Sequence, residues 1–171
     1  MAQIITNRLI LRPFTEADYD DLYEFLSQRA EDAFEAYPGI TYENGREHLQ
    51  YRLGSEEFFA MALKDTGKVI GNIYYGSRPF DAREVGYIVN KDYQRRGYAL
   101  EALSAVMRHA FANGVHRLYA ECDPRNICSW QLLEKAGFHR EAHFRKNVFF
   151  TRSEAGQPNW QDTYVYAIVN E

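Results

Sequence analysis

No stretch of this chain approaches the roughly 20 consecutive apolar residues that a helix needs to cross a bilayer, so a helical membrane span is excluded. Cysteine is scarce: Cys122 and Cys128 are the only two in 171 residues, too few for a disulfide framework or a zinc site. Both read as small buried or turn residues rather than nucleophiles. The five histidines fall in no metal-ligand pattern, and no metal is expected. Neither sign of charge dominates, with 20 basic against 24 acidic residues and a net charge of −4. That balance gives no general case for nucleic acid or an acidic membrane as partner. The opening Met1-Ala2-Gln3-Ile4-Ile5-Thr6-Asn7 lacks the charged region of a signal peptide, so a cytoplasmic protein is the expectation. No Gly-x-Gly-x-x-Gly follows a strand-like run, and Gly67-Lys68 is followed by Val69. Neither a dinucleotide fingerprint nor a Walker loop is present.

What is present suits one globular domain over residues 1–171, with 46% hydrophobic and 26% charged residues. Aromatic residues are plentiful, 13 Tyr and 11 Phe, enough to fill strands and leave rings to line a pocket. Arg8 to Arg12 reads as a strand with Leu9 and Leu11 on one face, stopped by Pro13. Thr15-Glu16-Ala17-Asp18 resembles a capping box with Asp in place of Glu, opening a helix that carries Tyr19, Leu22, Tyr23, Phe25 and Leu26. Gln28 to Ile40 is irregular, with a turn at Pro38-Gly39, and is expected to wall a binding cleft. A short helix from Glu43 to Leu53 follows, weakened by Gly45. Glu57 to Lys64 and Lys68 to Tyr75 form a hairpin about Asp65-Thr66-Gly67. Ser77 to Ala82 reads as a loop.

The chemistry concentrates next. Val85-Gly86-Tyr87-Ile88-Val89 is a buried-strand pattern, and Tyr98 to Asn113 repeats apolar residues at helical spacing up to the Asn113-Gly114 stop. Between them lies Gln94-Arg95-Arg96-Gly97-Tyr98-Ala99. A helix N-terminus has unpaired N–H groups, and a turn can gather them into a concave anion nest. Gly97 permits close approach, and Arg95 and Arg96 add charge, so a phosphate or pyrophosphate is the implied ligand. An ordinary strand-to-helix turn with solvated arginines would read the same on geometry alone. Arg117 to Cys122 is the next strand, parallel to the one before the helix because a whole helix separates them. A turn at Asp123-Pro124-Arg125-Asn126 leads to a short helix ended by Gly137. Strands at about Phe144 to Phe150 and Thr163 to Val169 close the chain as a long hairpin.

Together these motifs resemble the GNAT superfamily of acyl-CoA N-acetyltransferases. Gln94-Arg95-Arg96-Gly97-Tyr98-Ala99 is similar to its pyrophosphate motif, and Asn126-x-x-Ser129 followed by Leu132-Leu133-Glu134-Lys135-x-Gly137-Phe138 to its second motif. Asn7-Arg8-Leu9-Ile10-Leu11-Arg12-Pro13-Phe14 with Asp18, and Trp160-Gln161-Asp162-Thr163 near the end, resemble its ribosomal-protein (RimJ/RimL-like) branch. The resemblance implies an α+β fold with a mixed, largely antiparallel central sheet flanked by helices. Two parallel central strands would splay apart to form an acyl-CoA slot. It also implies acetyl-CoA as co-substrate. Backbone groups of Ile88 and Val89 would contact the pantetheine arm, the N–H groups of Arg95 to Ala99 the phosphates, and the Asn126 side chain the pantetheine arm.

Acetyl transfer to an amine needs a proton acceptor for the amine and a donor for the leaving sulfur. Glu84 shares a strand face with Gly86 and Ile88 and is the first candidate base; a carboxylate merely paired with Arg83 is the alternative. Glu121 on the neighbouring strand is the second, unless it sits in a cross-strand salt bridge. The Tyr that many relatives carry seven residues after the Asn is Leu133 here, so the resemblance leaves Ser129 as the acid. A serine in the first turn of a helix also bonds backbone routinely. Glu31, Asp32 and Glu35 would attract a cationic amine or simply be solvated. The acceptor is expected to be a small-molecule or peptide amine: a protein N-terminus, polyamine, amino acid or antibiotic. A catalytically silent acyl-CoA-binding module is the alternative, and the expected assembly is a monomer or homodimer.

Overall fold

The structure is a computed structural model that describes residues 3–30, 34 and 39–171. Eight strands form one sheet, β1 (Ile4–Ile5), β2 (Leu9–Arg12), β3 (Phe58–Leu63), β4 (Val69–Arg78), β5 (Ala82–Val89), β6 (Arg117–Cys122), β7 (His139–Val148) and β8 (Gln161–Val169). Their order is β1-β2-β3-β4-β5-β6-β8-β7, and every neighbouring pair is antiparallel except β5 with β6. The mixed, largely antiparallel α+β sheet is therefore the one the sequence predicts. No helix among the described residues is long and apolar enough to cross a membrane.

Helices cover both faces. On one, α1 (Tyr19–Ser27) places Leu22, Phe25 and Leu26 against Phe58, Ala60, Val69 and Ile88, joined by Leu49 of α2 (Gly45–Leu53). On the other, Ala102, Leu103, Val106 and Ala110 of α3 (Tyr98–Ala112) and Leu133 of α4 (Ile127–Lys135) pack on Phe59, Ile73, Val85 and Leu118. All six residues of β3 are buried, so its sequence Phe-Phe-Ala-Met-Ala-Leu shows no alternation. Gly45 is explained by contact: a Cβ there would stand 2.9 Å from the Tyr19 hydroxyl, which donates to the Tyr42 carbonyl. The glycine lets α2 start against α1.

Asp18 closes the predicted capping box, its Oδ2 accepting from the Thr15 N–H at 2.7 Å. The same carboxylate takes both Arg12 Nη1 at 2.7 Å and Nη2 at 2.8 Å, tying α1 to β2. Burial alone would raise its pKa, but the bonds from Arg12 and Thr15 outweigh that and hold it below the ordinary value. A depressed carboxyl stabilises the fold above its unfolded pKa and loses that contribution as pH falls through the folded one. Asp18→Ala is expected to cost about 3 kcal/mol, the worth of a lost charge-assisted pair that strands Arg12. Urea unfolding at pH 7 measures it, and the gap between variant and wild type should narrow as pH falls through the depressed folded pKa of Asp18.

A second network fixes the end of β5. Asn90 is fully buried, its Nδ2 donating to Glu24 at 2.7 Å and its Oδ1 accepting from the Asp92 N–H at 3.0 Å and Gln28 at 3.1 Å. Lys68 bridges Asp21 and Glu24, at 2.7 Å to each.

Three boundaries differ from expectation. The Ser77 to Ala82 loop is shorter, because β4 runs to Arg78, β5 starts at Ala82, and Phe80 and Asp81 turn the chain with φ of 63° and 51°. β7 begins at His139, well before Phe144; it is a sheet edge exposed on both sides, so it shows no apolar alternation. The short β1 has no sequence signal. Pro38 of the expected turn, and the acidic residues Glu31, Asp32 and Glu35, lie outside the described residues. Phe34 of the same connection is described, and its ring lies 5.7 Å from the Arg125 guanidinium, reaching the turn after β6.

Candidate active site

The parallel strands β5 and β6 pair only at Ala82 with Arg117, Arg83 with Leu118 and Glu84 with Tyr119. Beyond that rung β5 stays paired with β4 as far as Val89 with Gly71, while β6 stays paired with β8 as far as Cys122 with Tyr164. The sheet therefore opens between them. The Asn90 N–H donates to Ile70 of β4 at 2.8 Å. The Ile88 carbonyl also faces β4, close enough that a Cβ on Gly71 would meet it at 2.1 Å. By the period of two, Tyr87 and Val89 turn their N–H and C=O groups into the opening, whereas the N–H of Val85 belongs to the Glu84–Tyr119 rung. Of the two strand residues singled out by resemblance, Val89 thus has its backbone in the slot and Ile88 has its backbone on β4, with a buried side chain on the α1 side.

At the open end the Gln94 side chain donates to the Val89 carbonyl at 3.0 Å and starts the turn. Arg95 and Gly97 both take left-handed conformations, φ 59° and 83°, and Gly97 is the N-cap of α3. Among the described residues none accepts from the N–H groups of Arg95 through Leu100, and Glu101 is the first to bond back, to Gly97. These groups make the concave, N–H-lined surface that suits a pyrophosphate. Arg8 holds it from behind: its Nε donates to Glu101 at 2.7 Å, its Nη1 to the Arg96 carbonyl at 2.9 Å, and it lies 4.2 Å above the Tyr98 ring. Arg96 leans over Tyr93 at 5.5 Å, and Ala99 sits in the first turn of the helix.

The two catalytic candidates stand on opposite faces of the opening. Glu84 is on the α1 face, where Arg78 is ion-paired to it and the Tyr119 hydroxyl lies at 3.4 Å. Arg83, the partner considered from sequence, instead stacks on Tyr75 at 4.7 Å. Arg78 also donates to Tyr74 at 3.2 Å and to Tyr119 at 3.1 Å, so it is held on three sides. Glu121 is on the same face of β6 as Tyr119 and has no ion pair among the described residues. Burial and the Glu84 charge raise its carboxyl above the usual range, with Arg78 pulling the other way.

On the α3–α4 face, Ser129 accepts or donates to Tyr87 at 3.0 Å through its hydroxyl, while its carbonyl accepts from the same phenol at 2.9 Å. Burial pushes the Tyr87 phenol well above its usual range, so it stays a proton donor. Asn126 caps α4, its side chain accepting from the Ser129 N–H at 3.2 Å. Cys122 stands beside this group; burial pushes its thiol up to about 11, so it is protonated at neutral pH and a poor nucleophile. Sequence reasoning missed Tyr87, Tyr119 and Arg78. Tyr87 was accessible through strand alternation, whereas Arg78 and Tyr119 depend on register. No group of three or more His, Cys, Asp or Glu that could hold a metal occurs among the described residues.

A strand pair that opens beside an N–H-lined turn is the hallmark of an acyl-CoA-dependent acetyltransferase, and residues 8–139 match the acetyltransferase (GNAT) domain. The chain belongs to the GNAT family, whose reaction moves an acetyl group from acetyl-CoA. It is 32% identical over 174 residues to the uncharacterized N-acetyltransferase YnaD of Bacillus subtilis, covering 98% of this chain and 97% of YnaD. It is 27% identical to the Escherichia coli [ribosomal protein uS5]-alanine N-acetyltransferase, covering 97% of this chain and 90% of that one. A GNAT-family acetyltransferase from Bacillus anthracis superposes with a TM-score of 0.88 at 27% identity, covering 99% of each chain.

Proposed function

We propose that residues 1–171 act as one N-acetyltransferase domain that transfers acetyl directly from acetyl-CoA to a primary amine, with a protein or peptide N-terminal α-amine as the acceptor. The observation that carries this is the β5–β6 opening, with carboxylates at its vertex on one face and hydroxyls on the other. Acetyl-CoA supplies the activated acyl group; its phosphates would lie on the Arg95–Ala99 N–H groups and its pantetheine arm along Val89 and Asn126. The N–H of Tyr87, the first on β5 beyond the last rung with β6, would face the acyl oxygen and is placed to stabilise charge there. The incoming amine reaches the acyl carbon from the α1 face. There the Glu84–Glu121 pair takes its proton, Glu121 being the member whose oxygens are not claimed by Arg78. Ser129, hydrogen-bonded to Tyr87 on the opposite face, returns a proton to the sulfur. An α-amine, with a pKa near 8, is partly neutral at physiological pH, so a carboxylate of raised pKa suffices as acceptor.

Similarity to a ribosomal-protein alanine N-acetyltransferase supports the α-amine over a polyamine or amino acid. The N-terminal Arg8–Asp18 motif and the Trp160–Thr163 segment, both like the ribosomal-protein branch, support it too. The test mixes protein and acetyl-CoA with hexapeptides bearing N-terminal Ala or Ser, spermidine, or lysine, and follows free thiol release. Turnover of the peptides is expected. Thiol release with none of them, despite acetyl-CoA binding by calorimetry, would leave a silent acyl-CoA-binding module instead.

A further inference from the structure

Glu101 stands in the first turn of α3, the helix whose N-terminus is offered to the acetyl-CoA phosphates. A carboxylate so placed repels those phosphates, so its presence works against the ligand unless it serves another group. In a first turn such a side chain ordinarily bonds the helix's own N–H groups. This one accepts from none of them among the described residues. Its Oε1 takes the Thr6 hydroxyl at 2.6 Å and the Arg8 N–H at 2.7 Å, and its Oε2 takes Arg8 Nε at 2.7 Å. Burial alone would raise its pKa, but the bonds from Thr6 and Arg8 outweigh that and keep the carboxyl below its ordinary value. Glu101 is therefore an ionised brace for Arg8.

What the brace achieves lies one bond further on. Arg8, stacked 4.2 Å above the Tyr98 ring, donates through Nη1 to the Arg96 carbonyl at 2.9 Å. No other described residue donates to that oxygen. In a trans peptide the C=O and the following N–H point in opposite directions. A carbonyl drawn onto Arg8 therefore turns the Gly97 N–H away from Arg8, to the side left open for the phosphates. Gly97 makes this orientation a choice, because glycine takes negative φ about as readily as the 83° seen here. The Arg96–Gly97 peptide can turn over with little strain at Gly97, and it would then present a carbonyl oxygen where an anion needs a donor. No backbone hydrogen bond holds it, so the choice falls to Arg8.

We propose that Arg8 is a positioning residue for the acetyl donor: braced by Glu101, it fixes the Arg96–Gly97 peptide with its N–H toward the pyrophosphate. The inference rests on the reading above that places the phosphates on Arg95–Ala99. Arg8→Lys keeps the charge but lacks the planar fork that serves Glu101 and the Arg96 carbonyl together. Calorimetry with CoA, on protein held well below its melting temperature, should show a Kd raised about tenfold. A tenfold loss corresponds to a turn that is competent about one-tenth of the time. Crystals of ligand-free Arg8→Lys should accordingly show the Arg96–Gly97 peptide turned over, and crystals grown with CoA should show it restored. Glu101→Gln separates positioning from charge. Removing a negative charge near the phosphates tightens CoA by itself, whereas removing the brace should weaken it by about threefold. An unchanged Kd in Arg8→Lys, an unturned peptide in its free form, or unchanged or tighter CoA binding in Glu101→Gln would each overturn the assignment. Wild type that binds CoA no better than pantetheine would remove the phosphate site and this inference with it, whereas a clear preference for CoA with matched variants sinks this inference alone.

Discussion

Glu121→Gln should lower kcat/KM for the peptide amine by about 10³ at pH 7.5, within the range that general bases contribute. Melting temperature should hold or rise. The two signs come from one cause. A carboxyl whose folded pKa lies above its unfolded value binds its proton more tightly in the fold, so its ionisation at neutral pH costs folding free energy. Burial and the neighbouring Glu84 charge place Glu121 in that class. The neutral amide removes the cost and the base together. Glu84→Gln should act differently. It removes the like charge that raises Glu121, so the acidic limb of the kcat/KM profile should move to lower pH, with a loss of only about tenfold. The same substitution releases Arg78, which also bonds Tyr74 and Tyr119. If Glu84 were itself the proton acceptor, the order of the two losses would reverse and the acidic limb would vanish with Glu84→Gln. A pH series on both variants, with acetyl-CoA saturating, decides between them.

The parts of this site that sequence reveals are those written locally. Gln94 to Ala99 and the helix after it are contiguous, so glycine, charge and apolar spacing announce a strand, an anion turn and a helix together. Thr15 and Asp18 lie three positions apart, and their capping role is legible for the same reason. Arg8 shows the limit: its position in a strand is readable, but its partners Glu101 and the Arg96 carbonyl are about 90 positions away. Tyr119 reaches Glu84 only because the parallel register sets them on one rung. Arg78 reaches it because a turn through Phe80 and Asp81, left-handed without the usual glycine or asparagine, folds β4 directly onto β5. The first half of β7, ahead of Phe144, escapes detection because an edge strand exposed on both sides satisfies its backbone through β8 and needs no apolar face.

Gly97→Val should raise the acetyl-CoA KM and dissociation constant about 100-fold, close to 2.7 kcal/mol, while leaving kcat at saturation within a few-fold. Gly97 has φ of 83° at the N-cap of α3, a conformation costly to any residue with a Cβ and most of all to a branched one. A Cβ there would stand 3.4 Å from Arg8 Nη2, so the branches of valine would push Arg8 off the Arg96 carbonyl and the Tyr98 ring. Strain and displacement act on the same backbone, and both turn N–H groups away from the phosphates. The control is Gly114, which has φ of 81° at the end of the same helix with nothing within 4 Å of an added Cβ. Gly114→Val carries the same backbone penalty far from the slot, so it should lower the urea midpoint and leave acetyl-CoA affinity unchanged. Equal affinity losses in the two variants would mean that helix stability, and not the shape of the turn, governs binding. A loss confined to Gly97→Val would tie affinity to the fan of N–H groups that Gly97 and Arg95 hold open.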